Sequence, residues 1–222
     1  MCSPCRTRSR NASRRHSSRH HSAEIRHAQR KGPSQLDGWD RIMRAHWRIP
    51  RFTQNDLAEA RRLLDEAIAL DPTNSMAYSD LAFASIFESV FGWGDGPAAS
   101  LAKCGDAARK AVTIDDGDAA AHTGLAIFEL FSGRHYEARR RLRRAVDLDP
   151  NSAFARGYLG ATDAFGSYAA ALPHLEEAIR LSPRDPLLIL WYLCKGWAAL
   201  TAERSVDPER FLEGLRKAGM PA

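Results

Sequence analysis

No run of apolar residues in this 222-residue chain approaches the roughly 18 that a membrane span requires, so no span is expected. Behind the basic start there is no apolar core of a secretory signal, and the expected location is cytoplasmic. Cysteine is scarce: of four residues, two lie in the first five positions and two stand isolated at Cys104 and Cys194. That gives no disulfide framework and fits reduced thiols. Strand-like alternation is missing, and so are a glycine-rich phosphate loop, an HExxH pair and a nucleophile elbow. His122, His135 and His174 stand singly, and each reads as a surface or satisfied histidine rather than a base. Enzymatic turnover is therefore not expected, and no cofactor is implied.

Acidic residues are almost absent from the start of the chain. Nine of the 32 Lys and Arg but only Glu24 of the 27 acids fall within residues 1–35, so that stretch carries +8 and the remaining 187 residues −3. Residues 1–22 also lack any branched aliphatic or aromatic side chain. Such a segment cannot bury enough surface to offset the entropy of ordering, and a disordered basic tail is predicted over residues 1–35. Cys2, Cys5, His16 and His20 approach the ligand spacing of a zinc finger. The residues between them lack the apolar groups that pack a finger, so they remain a weak metal candidate and no metal is assigned. The arginines attract phosphate without specificity, and no specific nucleic acid is expected as a partner.

What is present in abundance is repetition. EAIALDPTNSMAYSDLA at 66–82, KAVTIDDGDAAAHTGLA at 110–126, RAVDLDPNSAFARGYLG at 144–160 and EAIRLSPRDPLLILWYL at 177–193 each read as one helix ending and another beginning. Ala67, Ala111, Ala145 and Ala178 are spaced by 44, 34 and 33 residues, a period that marks a solenoid of helical hairpins. Pro72, Pro150 and Pro183 each follow their alanine by five, where proline stops the preceding helix. A solenoid grows by neighbour contacts and needs no central core, so 44% hydrophobic residues suffices.

In chain order, Trp39, Ile42, Met43 and Trp47 recur at three and four residues, the stripe of a helix with one buried face. Pro50 stops it, and Thr53 with Asp56 predicts a capped start for the next helix, with Leu57, Ala60, Leu64, Ala67 and Ile68 inward. The second unit carries about ten extra residues around ESVFGWGDGPAASLAKCG, where Gly92, Gly94 and Gly96 break the helix and Pro97 sits in a new first turn. Phe91 and Trp93 on that loop are a candidate partner contact, with folding back onto a neighbouring hairpin as the alternative. Cys104 is read as a packing residue. In RHYEARRRLRRA, Ala138, Leu142 and Ala145 mark the buried face, so most of the arginines are expected to project outward as a solvated face, with an acidic partner as the functional alternative. After Pro183 a helix starts near Asp185 and Pro186, and a last amphipathic helix begins at Asp207 and Pro208 with Phe211, Leu212 and Leu215 on one side.

Leu125, Ala126, Ala138, Leu142 and Ala145, together with Leu81, Ala82, Ala108 and Ala111 and with Leu159, Gly160, Ala171, Leu175, Ala178 and Pro183, resemble the tetratricopeptide repeat family over about residues 36–193. The resemblance implies an all-α, right-handed α-solenoid of about four hairpins over residues 36–201, closed by a capping helix over 202–222. It also implies a protein-interaction scaffold that binds a protein or peptide partner in a groove lined by the first helix of each hairpin. By helical phase Phe83, Ile127, Phe128 and Arg156 are the expected groove residues. More closely, LDGWDRIMRAHWRIPRFTQNDLAEARRLLDEAIALDP, FGWGDGPAASLAKC, ALPHLEEAIRLSPRDPLL and DPERFLEGLRKAGMP resemble the C-terminal repeat region of bacterial class III adenylate/guanylate cyclases. That resemblance implies a shortened homologue of such a region, a subunit regulating a cyclase or other signalling enzyme in trans, or a non-functional fragment. No cyclase residue carries over to this chain.

Overall fold

The computed structural model describes residues 33–164 and 168–202. Nine α-helices follow one another among these residues: α1 Pro33–Arg48, α2 Gln54–Leu70, α3 Ser75–Phe91, α4 Pro97–Ile114, α5 Ala119–Phe131, α6 His135–Leu148, α7 Ala153–Ala164, α8 Tyr168–Leu181 and α9 Leu188–Ala202. Their limits follow from local chemistry. A 3-10 turn at Ile49–Arg51, with Pro50 in it, ends α1 and leaves Phe52 in the left-handed region at φ 49°. Thr53 then accepts from the Asp56 amide at 3.1 Å and donates to its carboxylate at 2.9 Å, which satisfies an orphan amide of α2. The α3 helix ends on Gly92 at φ 70°, a left-handed cap that glycine adopts without a side-chain penalty.

Successive helices pair as hairpins α1/α2, α3/α4, α5/α6 and α7/α8, and α9 packs on both α7 and α8. The first helices also touch one another in series, α1 to α3 to α5 to α7 to α9, while each second helix wedges against the first helix that follows it. Two layers result. At their seam lie Leu57, Leu64, Ala108, Ala126, Leu142, Leu159 and Leu175, all among the buried core. Small residues set the spacing: a Cβ on Gly124 would stand in ordinary contact with Ala82 and Ala108, and one on Gly160 would come 2.6 Å from Leu175.

The extra residues of the second unit have a defined place. The α3 helix has 17 residues against 13 in α5, α4 has 18 against 14 in α6, and two more lengthen the turn. Each helix thus gains about one turn. Further on, α7 begins 34 residues after α5 but α8 only 33 after α6, which puts the missing residue between them.

One expectation is corrected. Of the predicted α1 stripe, Ile42 is buried but Trp47 is 75% and Trp39 41% exposed, and Ala45 takes the inward position instead. An exposed indole at the same helical spacing as a core residue cannot be told from one by spacing alone. Most arginines of the run do project outward, with Arg134, Arg140, Arg143 and Arg144 exposed, whereas Arg139 and Arg141 turn back onto buried acids. The basic tail apart from its last residues, with Cys2, Cys5, His16 and His20, lies outside the described residues, as does the segment 203–222 that holds the expected cap.

Candidate functional site

The inner face of the first helices carries a row of rings. Phe83 of α3 meets Phe154 of α7 edge to face at 4.9 Å, Phe154 meets Tyr158 at 4.9 Å, and Tyr158 meets Trp191 of α9 at 5.3 Å. Aromatic pairs in this geometry gain about 0.5–1.5 kcal/mol beyond area burial. The row spans α5 and ties three first helices together. Gly157 makes room for it, since a Cβ there would lie 2.5 Å from the Trp191 ring. Phe83 and Phe154 remain half-buried, whereas Tyr158 and Trp191 are closed off.

Of the four groove residues expected from the sequence, only Phe83 lies in this row. Ile127 is fully buried and unavailable to a ligand. Phe128 points the other way: its ring covers Gly105 of α4, with the guanidinium groups of Arg109 and Arg134 at 5.1 and 4.9 Å. Arg156 donates to the Pro150 carbonyl at 2.8 Å in the turn before α7. The structure therefore does not bring the four together. The α5 helix is buried over almost its whole length, so no polar face was present to phase it.

Near the N-terminal end of the same face, His46 of α1 shares its Nδ1 between both oxygens of Asp80, at 3.2 and 3.1 Å. The hydrogen bond to Asp80 raises the imidazole above its ordinary value, against the opposing effect of burial. Burial pushes the Asp80 carboxyl up as well, only partly offset by His46, and the charge of Asp118 adds to the rise. The pair thus holds a proton to higher pH than either group alone. Ser79 beside it donates to Asp118 at 3.3 Å.

Phe91 and Trp93 stack at 4.7 Å, and Phe91 lies 6.3 Å from Phe52, which itself packs on Phe87 at 4.6 Å. The loop rings thus fold back on the turn of the first hairpin, although Phe91 stays 46% exposed. Cys104 is fully buried and its thiol is pushed up to about 12 by desolvation, while that of Cys194 rises to about 11. Both are held as neutral thiols. Among the described residues no group of three or more His, Cys, Asp or Glu could hold a metal. Nor is any helix there long and apolar enough to cross a membrane.

Four buried acids on first helices escaped the sequence reading: Asp80, Glu88, Glu129 and Asp163. Glu88 is held by Arg61 at 3.4 Å, Glu129 by Arg141 at 2.7 Å and Asp163 by Arg139 at 2.5 Å. A signal for two of them was present, because Glu129 and Asp163 are separated by one period of 34 residues.

No protein-family model matches the chain, and no curated protein matches it. Among solved structures it is similar to PilF of Pseudomonas aeruginosa, with a TM-score of 0.59 and 18% identity over 86% of this chain and 80% of that one. A thermophilic TPR protein of Thermus thermophilus superposes with a TM-score of 0.52 and 17% identity, over 62% and 72% of the two chains. The O-GlcNAc transferase of Thermobaculum terrenum gives 0.53 and 18% identity over 68% of this chain, which spans 27% of the transferase's length. The fold is accordingly the right-handed α-solenoid of tetratricopeptide hairpins.

Proposed function

We propose that the protein is an interaction scaffold that binds a protein or peptide partner, without turnover, along the inner face of its first helices. The observation that supports this most is the ring row, in which the half-buried Phe83 of α3 and Phe154 of α7 meet across α5 and are backed by the buried Tyr158 and Trp191. A surface shared by two separate hairpins suits an extended ligand better than a compact one. Within it, Phe83 and Phe154 replace the sequence-based set of Phe83, Ile127, Phe128 and Arg156 as the contacts that a partner reaches. Phe91 offers a second contact at the turn edge. Substituting Phe83→Ala with Phe154→Ala, in protein whose helicity and melting are preserved, is expected to weaken capture of the partner identified by crosslinking. Undiminished capture sinks the assignment of this face.

A more specific reading keeps the resemblance to cyclase repeat regions: a cytoplasmic bacterial protein that acts in trans on a cyclase or another signalling enzyme. It is supported by the quoted wording of the sequence alone. Mixing the protein with a class III cyclase that lacks repeats, and following cyclic nucleotide output, tests it. Output that does not change across a range of protein concentrations removes the reading.

A further inference from the structure

The first three hairpins each end their first helix on an exposed ring. Trp47 is the last residue but one of α1, Phe91 the last of α3 and Phe131 the last of α5. Tyr136, the second residue of α6, stands across the turn from Phe131. Trp47 is 75%, Phe91 46%, Phe131 49% and Tyr136 79% exposed. Single apolar side chains on a surface are ordinary. Recurrence at the same place in three successive hairpins is not.

Helices joined by short turns and packed as hairpins run antiparallel, so the first helices run parallel and their C-terminal ends share one edge of the solenoid. At that edge the first two hairpins are continuous, because Phe91 lies 6.3 Å from Phe52 and stacks on Trp93 at 4.7 Å. Acids beside the rings are answered within the fold: Asp56 by Arg48 and Arg51, and Asp95 by Arg61 and Lys103. Glu137 shares its turn with the exposed Arg134. The edge thus presents aromatic tips without an excess of negative charge. The stretch of +8 in residues 1–35 leads into α1, whose start lies roughly 20 Å along the helix from Trp47. That distance is well within reach of a chain of this length.

We propose that this turn edge docks on an anionic lipid bilayer, with Trp47, Phe131 and Tyr136 entering the headgroup layer and the basic stretch drawn to the lipid charge. Indole and phenol rings favour that layer, being apolar in body and polar at the tip. Neither signal suffices alone, since stable attachment to a membrane surface takes an apolar and a polybasic contribution together. A peptide is a poorer occupant: it needs a groove or a sheet edge to lie in, whereas turn tips project. The inference goes beyond the scaffold reading and concerns another surface; only Phe91 is common to both.

The test sediments the full chain with vesicles of phosphatidylcholine alone or mixed with phosphatidylglycerol. Binding is expected only to the mixed vesicles, with release by high salt. Trp47→Ser with Phe131→Ser and Tyr136→Ser is expected to weaken it about tenfold. Leu70→Ser with Met76→Ser removes two exposed apolar side chains from the opposite edge, at the turn between α2 and α3, and is expected to change it little. Matching melting curves show that the variants fold. Undiminished binding by the triple variant leaves the basic stretch acting alone and overturns the proposal. Equal loss in both variants, equal binding to uncharged vesicles, or binding to neither kind overturns it as well. So does a dimer in solution that the triple variant dissolves while vesicles capture neither protein, which makes a second copy the occupant. Partner capture through Phe83 and Phe154 is expected to survive the triple variant, so failure of either reading leaves the other in place.

Discussion

The indole of Trp191 occupies the space that a side chain on Gly157 would fill, with three ring carbons within 2.8 Å of the position of that missing Cβ. The α9 helix is thereby keyed to α7, and Trp191 is completely buried. Gly157→Ala forces the ring out of place. The expected cost is about 1–3 kcal/mol, seen as a melting temperature lower by roughly 2–10 °C for a protein of this size. Thermal melting followed by circular dichroism checks this, and a variant as stable as the parent contradicts the packing described.

The His46–Asp80 pair makes stability depend on pH in a defined direction. Both groups hold their proton more tightly in the fold than outside it. The contribution of His46 is thus complete below its unfolded pKa of about 6.5 and is lost as pH rises through the higher folded value. Between mildly acidic and mildly alkaline buffer, the parent protein is expected to lose more melting temperature than His46→Gln. Parallel curves for the two proteins contradict the linkage.

Arginines of α6 are not equivalent. Arg141 meets Glu129, whose side chain is 7% exposed, while Arg140 is exposed and makes no ion pair among the described residues. Arg141→Met leaves a buried carboxylate without its partner and is expected to destabilise by about 1–3 kcal/mol. Arg140→Met should stay within about 0.5 kcal/mol of the parent. Urea denaturation of both variants measures the difference, and equal midpoints contradict it.

Cys104 is fully buried as a neutral thiol. Since the thiolate is the reacting species, labelling of Cys104 by a thiol reagent in neutral buffer is expected to follow unfolding. Peptide mapping after brief and prolonged exposure, with and without urea, reads this directly. Rapid labelling of the native protein runs against the burial found.

Helix order, turn positions and most of the seam were legible in the sequence, because each depends on spacings repeated several times. Ala138, Leu142 and Ala145 recur in register with Ala171, Leu175 and Ala178, and all six are buried. The stop signals at Pro50, Gly92 and Pro97 act through backbone geometry, which is local, and they fall at element limits. The face of α5 was not legible: with His122, Thr123 and Glu129 buried beside Leu125 and Ile127, polarity no longer marks a side. Ion pairs such as Arg139 with Asp163 join residues 24 apart on different helices. Charge alone could not tell these arginines from the exposed ones beside them.

The longer second hairpin has a consequence for how the array finds its order. Identical repeats are nearly interchangeable, and a chain of them has slipped pairings close in energy to the native one. With about one extra turn in both α3 and α4, these two helices match each other in length and outrun every helix from α5 to α9. Exchanging either one for a shorter helix leaves an apolar overhang uncovered. The insertion acts as a notch that tells the second hairpin from the two that follow it, so deleting it makes those three hairpins more nearly interchangeable.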